Sequence, residues 1–258
     1  MREMIRSIDL NADLGEQPEF EARDIALMQH ISSCNIACGG HAGDARSMAL
    51  MLAAARDAGV AAGAHPSYPD RANFGRTSLE IPLPDLIASL IGQVRALEKI
   101  AAGQGIRLAH IKPHGALYND LADRPDMAAA VARALHEAFP ELALVGLAHG
   151  AFEDAARSAG ARFIAEGFVD RGYTPARRLI PRRQPGALIE ADDARAAQAV
   201  AIATGAPVTT SDGSPITILA QSLCIHSDSA GSEQTALRIA NEMASMRVAI
   251  RAPGETAS

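Results

Sequence analysis

The stretch Ile8-Asp9-Leu10-Asn11-Ala12-Asp13-Leu14-Gly15-Glu16 decides how this chain folds, because it has the form of an opening β-strand with carboxylates in it. Side chains on a strand alternate between two faces, so Asp9, Asn11 and Asp13 share one face and the apolar residues share the other. A half-buried strand with a solvated outer face would show the same alternation. One strand alone therefore leaves both interpretations open.

Recurrence of the pattern favours a functional interpretation. The same spacing of polar residues returns at Lys112 and His114, and again at His226 and Asp228, each time at the end of an apolar run and before a turn. Strand ends of this kind carry the binding and catalytic residues of α/β proteins. We therefore expect several strands to bring their polar ends to one place.

Composition limits the classes of protein to consider. A chain of 258 residues with 48% hydrophobic residues can form one large α/β domain, and with 3% aromatic residues its core must consist of Ala, Leu, Ile and Val. The net charge of -6 and the pI near 5.7 give no electrostatic reason to expect a nucleic acid or an anionic membrane as partner.

The cysteines and the N-terminus point to the cytoplasm. Three cysteines are too few, and odd in number, for a disulfide framework, which favours a reducing compartment. The first residues lack the apolar segment of a signal peptide, and no window approaches 18 uninterrupted apolar residues. We expect a cytoplasmic protein without a membrane span.

Strand-like and helix-like segments alternate seven times along the chain. The predicted strands are 8–16, 32–38, 60–64, 107–114, 142–147, 162–168 and 223–225, and the predicted helices are 19–31, 45–58, 83–103, 126–139, 152–160, 192–203 and 233–250. This alternation predicts a parallel sheet covered on both faces. Because polar residues end nearly every strand, we predict an irregular (β/α)7 TIM-like barrel, with one domain over 1–251, a frayed tail over 252–258 and long loops at 67–78 and 170–187.

In a closed barrel, the polar face of the first strand would point into the pocket. Buried carboxylates need partners or lose their charge, and Lys112, His114 and His65 at other strand ends are natural partners for Asp13. A structural ion-pair network would satisfy the same pattern. Because perturbed titratable groups concentrate in clefts, we favour a catalytic cluster.

The glycine-rich segment 35–44 allows two further interpretations. Its glycines precede a helix N-terminus, which attracts phosphate groups, but Asp44 opposes an anion there. The chain also lacks a Gly-Lys-Ser/Thr sequence, so a P-loop nucleotide site is not supported.

The second interpretation is a metal site. Cys34, Cys38 and His41 could form one, but only Cys38 would lie near the loop, so a structural zinc is disfavoured. Asp13, His41 and His65 offer a carboxylate and two imidazoles, a set that suits a catalytic divalent metal. The sequence leaves the presence of a metal open.

Two further positions carry candidate chemistry. Lys112 beside His114 would lower the pKa of the imidazole, keeping it neutral and able to transfer protons. Arg171 follows Asp170 at a strand end and could hold a substrate carboxylate in a bidentate fork, whereas Arg177 and Arg183 fit a solvated surface.

These segments together resemble the LamB/YcsF family, over residues 8 to 228. The motifs that carry the resemblance are 8–16, Asn35-Ile36-Ala37-Cys38-Gly39, His41-Ala42-Gly43-Asp44, Gly63-Ala64-His65-Pro66-Ser67, Pro69-Asp70-Arg71, Phe74-Gly75-Arg76, Lys112-Pro113-His114-Gly115, Leu117-Tyr118-Asn119, Asp170-Arg171-Gly172-Tyr173 and Gly186-Ala187-Leu188-Ile189.

The resemblance implies a barrel related to carbohydrate deacetylases and a role as the A component of ATP-hydrolysing 5-oxoprolinase, with ATP as co-substrate and subunits B and C as partners. Such an enzyme cleaves 5-oxo-L-proline to L-glutamate, and activation of the unstrained amide, for instance by phosphorylation, would explain the need for ATP. As a hypothesis, Asp13 activates water, His114 protonates the leaving nitrogen and Lys112 stabilises negative charge. The expected substrate-binding residues are Asp9, Asn11, His41, His65, Arg171, His226 and Asp228.

Two other functions fit the same residues. A metal-dependent deacetylase or amidohydrolase acting alone would need a stoichiometric metal and no ATP. A non-catalytic lactam-binding subunit would bind 5-oxoproline but tolerate loss of its carboxylates.

Overall fold

The computed structural model describes residues 6–226 and 231–253. Within these ranges the chain forms ten strands, namely β1 (Arg6–Leu14), β2 (Ser33–Ala37), β3 (Ala61–His65), β4 (His110–Ile111), β5 (Ala143–Leu147), β6 (Phe163–Phe168), β7 (Val208–Thr209), β8 (Pro215–Ile216), β9 (Ser222–His226) and β10 (Val248–Ile250). The α-helices in the same ranges are α1 (Glu21–Leu27), α2 (Ala45–Ala58), α3 (Leu83–Gly103), α4 (Gly115–Asp123), α5 (Pro125–Ala138), α6 (Ala151–Ser158), α7 (Asp192–Thr204) and α8 (Ser232–Ser245).

Seven parallel strands close into a barrel. They run in the order β1-β2-β3-β4-β5-β6-β9, and β9 pairs with β1 to complete the ring. In that closing pair Asp13 lies opposite His226, and on the other side of β1 Asp13 lies opposite Asn35. The predicted (β/α)7 TIM-like barrel is confirmed, and all seven strands present their C-terminal ends at the same mouth.

Local sequence signals fix several helices as expected. The Asp44 carboxylate accepts a hydrogen bond from the Ser47 backbone N–H and caps α2, which ends at Gly59 in the left-handed conformation (φ 71°). Helix α3 has the predicted bounds and buries Leu86, Leu90 and other residues of its apolar stripe against the barrel. No helix among the described residues is both long and apolar enough to cross a bilayer.

The structure corrects two predicted segments and adds a helix. The helix predicted over 233–250 ends at Ser245, and Val248–Ile250 pair with Arg6–Ile8 of β1 as a strand. The strand predicted over 107–114 is reduced to His110–Ile111, since Pro113 has no N–H to donate to a ladder. Helix α4, which follows directly, was not predicted because its first position is a glycine.

The last described residues pack against the first strand. Ala252 is buried, and the Arg251 backbone N–H donates to the Ile8 carbonyl at 3.0 Å. Residues 254–258 of the predicted tail lie outside the described residues, as does Asp228.

Candidate active site at the barrel mouth

A cavity of about 920 Å³ opens at the C-terminal ends of the strands. Its walls include the predicted residues Asp13, His65, Lys112, His114, Arg171 and His226, together with Glu16, Tyr118 and Phe168. Residues from five separate strands or strand ends thus meet at one mouth, as the sequence predicted. A different pocket, near Tyr68 and Leu79, contains none of these groups.

Lys112 lines the floor of the cavity and is 2% exposed. Its ammonium nitrogen is 2.9 Å from Asp13 Oδ1, 2.9 Å from Glu166 Oε1 and 3.2 Å from Cys224 Sγ. Burial lowers the pKa of Lys112, but the charges around it, Asp13 first, raise that pKa well above its ordinary range. The lysine is therefore a fixed positive charge held between two carboxylates.

Asp13 is the carboxylate that links Lys112 to the histidines. Its Oδ1 accepts a hydrogen bond from Asn35 Nδ2 at 2.8 Å, and its Oδ2 lies 3.3 Å from His65 Nε2. Burial alone would raise the pKa of Asp13, but His65 and Lys112 outweigh it and hold that pKa well below its usual range. Asp13 stays ionised, which suits a group that positions cations better than one that accepts protons.

Below the cavity floor lies a second polar layer, the serine layer, made of Asp9, Asn11 and the three serines that contact them. The Asp9 carboxylate accepts hydrogen bonds from the hydroxyls of Ser32 (2.6 Å), Ser33 (2.8 Å) and Ser222 (2.5 Å). Burial raises the pKa of Asp9 to about 6.

Asn11 connects the serine layer to the floor. Its Nδ2 donates to Ser222 Oγ at 2.7 Å and to Glu166 Oε1 at 2.8 Å. The sequence places Asp9 and Asn11 among the substrate-binding residues, but neither lines the cavity, because Lys112 and Asp13 lie between them and the mouth. Their hydrogen bonds support the floor from beneath.

Four side chains form a second group, here named the Glu–His cluster: Glu16, His65 and His114, which line the cavity, and His41, which is buried behind them and does not line it. Glu16 Oε1 lies 3.0 Å from His41 Nε2, 3.3 Å from His114 Nδ1 and 3.9 Å from His65 Nε2. The rings of His41 and His114 stack with centroids 3.6 Å apart. The potential ligand atoms of all four side chains lie within 4.8 Å of one another.

The cause of the neutral histidines differs from the predicted one. Burial lowers the pKa of His114 well below its usual range, with His41 as the next cause, and Lys112 is not among the principal causes. Burial likewise lowers the pKa of His41. Both nitrogens of His114 are also engaged, Nε2 with the Phe74 carbonyl at 3.0 Å and Nδ1 with His65 Nε2 at 3.0 Å. These contacts engage both nitrogens of His114 within the cluster and its loop.

His226 forms a pair with Asp170 on the opposite wall. His226 Nδ1 lies 2.9 Å from Asp170 Oδ2, and the ring stacks on Phe168. Burial raises the pKa of the Asp170 carboxyl, but His226 offsets this and brings that pKa to about 2. An ionised carboxylate on one ring nitrogen leaves the other available for proton transfer.

Arg171 has a structural position as well as a cavity position. Its Nε donates to the Ala187 carbonyl at 3.1 Å and its Nη2 to the Ile180 carbonyl at 2.7 Å, so it holds the long loop after β6. Arg76, Arg182 and Arg183 also line the cavity. The mouth is therefore rich in positive charge, which suits an anionic ligand.

For segment 35–44, neither the phosphate cradle nor the Cys34, Cys38 and His41 site gains support. Arg71 Nη1 donates to the carbonyls of Gly39 and Gly43, and the Gly39 N–H donates to the Ala42 carbonyl, so this loop is closed on itself. Cys34 and Cys38 are buried thiols whose pKa burial raises to about 12, which disfavours thiolate ligation.

Three site residues are absent from the predicted set: Glu16, Glu166 and Asp170. Asp170 continues the period-two spacing from Glu166 and could have been included on that ground, whereas Glu16 is three residues after Asp13 and falls outside that spacing. Glu166 is 0% exposed, in the middle of an apolar strand, and accepts a hydrogen bond from the Tyr118 hydroxyl at 2.7 Å. A lone carboxylate in such a strand was itself a signal.

The fold and the site define the class of the protein: a closed seven-stranded α/β barrel that gathers acids, histidines and a lysine at its C-terminal mouth. The sequence model of the LamB/YcsF family matches residues 8–258, and the chain belongs to this family, as its motifs predicted. The solved structure of a lactam utilization protein from Thermus thermophilus is 33% identical and superimposes with a TM-score of 0.87, over 95% of this chain and 99% of that one.

More distant solved structures resemble the barrel weakly. A family 4 carbohydrate esterase from Streptomyces lividans is 12% identical with a TM-score of 0.45, over 95% of this chain and 91% of that one. The peptidoglycan deacetylase PdaC from Bacillus subtilis is 10% identical with a TM-score of 0.49, over 96% and 88%. At such scores the fold assignment rests on the strand pairing and on the Thermus protein.

Proposed function

We propose that this chain is the A component of an ATP-dependent 5-oxoprolinase, and that its barrel carries out the hydrolytic opening of 5-oxo-L-proline to L-glutamate. Family membership and the likeness to a protein named for lactam utilization support a lactam substrate. The observation that carries the proposal is the charged floor of the cavity, where Lys112 faces Asp13 within a space large enough for a small cyclic amide.

Lys112 is the group we assign to charge stabilisation. Addition of water to an amide carbonyl, or to its phosphorylated form, places negative charge on oxygen, and a preorganised ammonium in a buried site stabilises that charge most effectively. Asp13 and Glu166 keep the ammonium charged and in place, each at 2.9 Å. The Glu–His cluster lies next to this floor and is the place we assign to the attacking water.

His226 replaces His114 as the proposed acid at the leaving nitrogen. Asp170 holds its Nδ1 at 2.9 Å, so the ring is oriented and its other nitrogen is available. The nearest candidate ligand atoms of Asp13, Cys224 and His226 lie within 4.8 Å of one another, which places the ring close to the floor. Such a pair can take a proton and return it within one turnover.

ATP enters the proposal through the partner subunits. An unstrained lactam resists hydrolysis at neutral pH, and phosphorylation of its carbonyl oxygen would convert that oxygen into a leaving group. The complete reaction then consumes one ATP and two waters and yields glutamate, ADP and phosphate. Because this sequence has no P-loop, we assign the nucleotide site to subunits B and C or to a joint site with them, in the cytoplasm.

The cavity arginines are the proposed contacts for the substrate carboxylate and for a transferred phosphoryl group. Arg76 and Arg182 line the cavity, and Arg182 lies close enough to Asp170 to contribute to the lowering of its pKa. Two of the donors of Arg171 are committed to the Ala187 and Ile180 carbonyls, so we assign it to positioning the loop that carries Arg182.

The decisive experiment measures 5-oxoproline turnover by this chain alone, with ATP, and with ATP and both partner subunits. We expect turnover only in the complete mixture, and at least a thousandfold loss in Asp170→Asn and Asp13→Asn, on the order of 4 kcal/mol of transition-state stabilisation. Full turnover by Asp13→Asn would instead indicate that this chain binds the lactam without catalysing its opening.

The Glu–His cluster is also compatible with one other function. A metal-dependent amidohydrolase would open the amide with this chain alone, without ATP. Turnover of 5-oxoproline or of an N-acetyl sugar by the isolated chain would favour that rival over the three-subunit enzyme.

A further inference from the structure

The Glu–His cluster contains a conflict among hydrogen-bond acceptors. His65 Nδ1 lies 2.7 Å from the Lys112 carbonyl, and His114 Nε2 lies 3.0 Å from the Phe74 carbonyl. A carbonyl oxygen can only accept a hydrogen bond, so these two nitrogens carry the protons. In neutral rings, His65 Nε2 and His114 Nδ1 then carry lone pairs, yet they face each other at 3.0 Å.

The surroundings keep the cluster in this arrangement. Phe74 adopts the left-handed conformation (φ 55°), which is costly for a residue with a side chain, and its carbonyl fixes the His114 ring. A side chain is also disfavoured at Gly75, which has φ 63° and where a Cβ would lie 3.0 Å from His114 and from His41. A strained backbone conformation that orients one imidazole indicates that the direction of its lone pair has a function.

Glu16 and His41 supply the two other potential metal-ligand atoms of the cluster. Glu16 Oε1 is a third acceptor, 3.3 Å from His114 Nδ1 and 3.9 Å from His65 Nε2. His41 Nε2 lies 3.0 Å from the same oxygen, while its Nδ1 is buried without a hydrogen-bond partner among the described residues. Lone pairs that converge in a buried space require a positive charge between them.

We propose that Glu16, His41, His65 and His114 bind one divalent transition-metal ion of the zinc type, through Glu16 Oε1, His41 Nε2, His65 Nε2 and His114 Nδ1. Tetrahedral ligation at ordinary zinc distances places neighbouring donor atoms about 3.3 Å apart. The observed separations of 3.0, 3.0, 3.3 and 3.9 Å lie on either side of that value. Three imidazoles and one carboxylate are a donor set that zinc accepts.

The second group of potential ligands does not form a comparable site. Asp13, Cys224 and His226 have ligand atoms within 4.8 Å of one another, but the Lys112 ammonium already lies 2.9 Å from Asp13 Oδ1 and 3.2 Å from Cys224 Sγ. A second cation there would meet a fixed positive charge. In the Glu–His cluster, by contrast, the carboxylate of Glu16 is surrounded by three imidazoles, and none of the described lysine or arginine side chains forms an ion pair with it.

With four protein ligands a tetrahedral ion has no open position, so the proposed site is of the structural kind and would hold Glu16 and the three histidines in place beside the floor. Asp13 links the two groups, since its Oδ2 lies 3.3 Å from His65 Nε2 and its Oδ1 lies 2.9 Å from the Lys112 ammonium. Metal binding itself does not depend on the lactam assignment, because it can be measured without any substrate.

The test is a metal titration of the full chain after removal of metal with a chelator. We expect one equivalent of Zn²⁺ or Co²⁺ per chain, and for Co²⁺ the visible absorption of a four-coordinate ion. Glu16→Gln and His65→Gln should weaken binding by about 100-fold or more, since loss of an outer-sphere partner alone costs 10–100-fold. The matched control His30→Gln changes a histidine near the end of α1 and should bind as the wild type does.

A proton shared between His65 and His114 is the competing explanation of the short distance between them. Long-range ¹H–¹⁵N spectra of the histidines distinguish the two in the unaltered protein. We expect Zn²⁺ to shift the ¹⁵N resonances of His65 Nε2 and His114 Nδ1, while His65 Nδ1 and His114 Nε2 stay protonated. Less than 0.1 equivalent of bound metal at excess Zn²⁺, or wild-type binding by both variants, would overturn the proposal whatever the outcome for lactam turnover.

Discussion

The serine layer and the Glu–His cluster are both buried, polar and inside the same barrel, yet they are built in opposite ways. In the serine layer three hydroxyl donors meet the Asp9 carboxylate, so donors and acceptors match. In the Glu–His cluster two imidazole nitrogens face each other at 3.0 Å beside the Glu16 carboxylate, and in neutral rings all three of these groups are acceptors. Burial of polar groups alone therefore does not mark a functional site, whereas an imbalance between donors and acceptors does.

The largest effect is expected at Lys112, which lies between these two regions. Lys112→Met leaves the Asp13 and Glu166 carboxylates facing each other without a cation, and loss of one partner of a buried ion pair costs about 3–5 kcal/mol. We expect the free energy of unfolding, measured by urea denaturation, to fall by that amount, and 5-oxoproline turnover by the complete enzyme to be lost.

Lys99 offers a matched control, since it is the only other lysine in the sequence and lies exposed on α3. Lys99→Met should change the free energy of unfolding by less than about 0.5 kcal/mol. If Lys112→Met were as stable and active as Lys99→Met, the buried charge would have neither a structural nor a catalytic role.

The next effect concerns pH and the serine layer. Burial raises the pKa of Asp9 from 3.8 to about 6, so between these values the folded protein holds a proton that the unfolded chain has lost. Stability from this group is present below pH 4 and is lost as the pH rises through 6, by up to about 3 kcal/mol. Asp9→Asn cannot ionise, so its unfolding free energy relative to wild type should increase from pH 4 to pH 7.

The measurement compares urea unfolding of Asp9→Asn and wild type at several pH values. Asp57→Asn, at an exposed position, is the control and should give a curve parallel to that of the wild type. Parallel curves for Asp9→Asn as well would mean that Asp9 is ionised in the folded protein across this range.

The sequence predicted the positions of side chains correctly where those positions depend only on the barrel. Parallel strands end at the same mouth, so Asp13, His65, Lys112 and His114 could be placed together from their strand ends, and all four line the cavity. The depth of a residue along its strand was harder to foresee. Asn11 and Asp9 share a face of β1 with Asp13. They lie two and four residues before it, deeper in the barrel, where they contact serines instead of the cavity.

Contacts set by loops and by ring orientation could not be read from spacing. Glu16 and His41 follow strands and reach each other through turns whose glycines have positive φ, at Gly15 and Gly39. The protonated nitrogen of His114 depends on a carbonyl from residue 74, forty positions away. Strand β10 pairs with Arg6–Ile8, the part of β1 that precedes its pairing with β9, and this pairing is between segments that are distant in the sequence.

A smaller effect is expected from the serine layer when a hydroxyl is removed. Ser222 Oγ donates to Asp9 and accepts from Asn11, so Ser222→Ala leaves both groups without one partner, at a cost of about 2 kcal/mol of unfolding free energy. Because Ser222 does not line the cavity, 5-oxoproline turnover should stay within about threefold of wild type, below 1 kcal/mol. The exposed Ser158→Ala is the control for stability. A large loss of turnover in a folded Ser222→Ala would mean that the two regions are not separable.

The smallest effect is expected at the rim of the mouth, where Arg182 is half-buried and lines the cavity. Arg182→Gln removes a positive charge from the path of an anionic substrate, so KM for 5-oxoproline should rise by about tenfold, or roughly 1.4 kcal/mol, with little change in kcat. The free energy of unfolding should not change, because surface charges contribute little to it. Arg95→Gln, on the exposed face of α3, is the control and should leave both constants at wild-type values. A fall in kcat with unchanged KM would instead indicate that Arg182, like Lys112, acts at the reacting atoms.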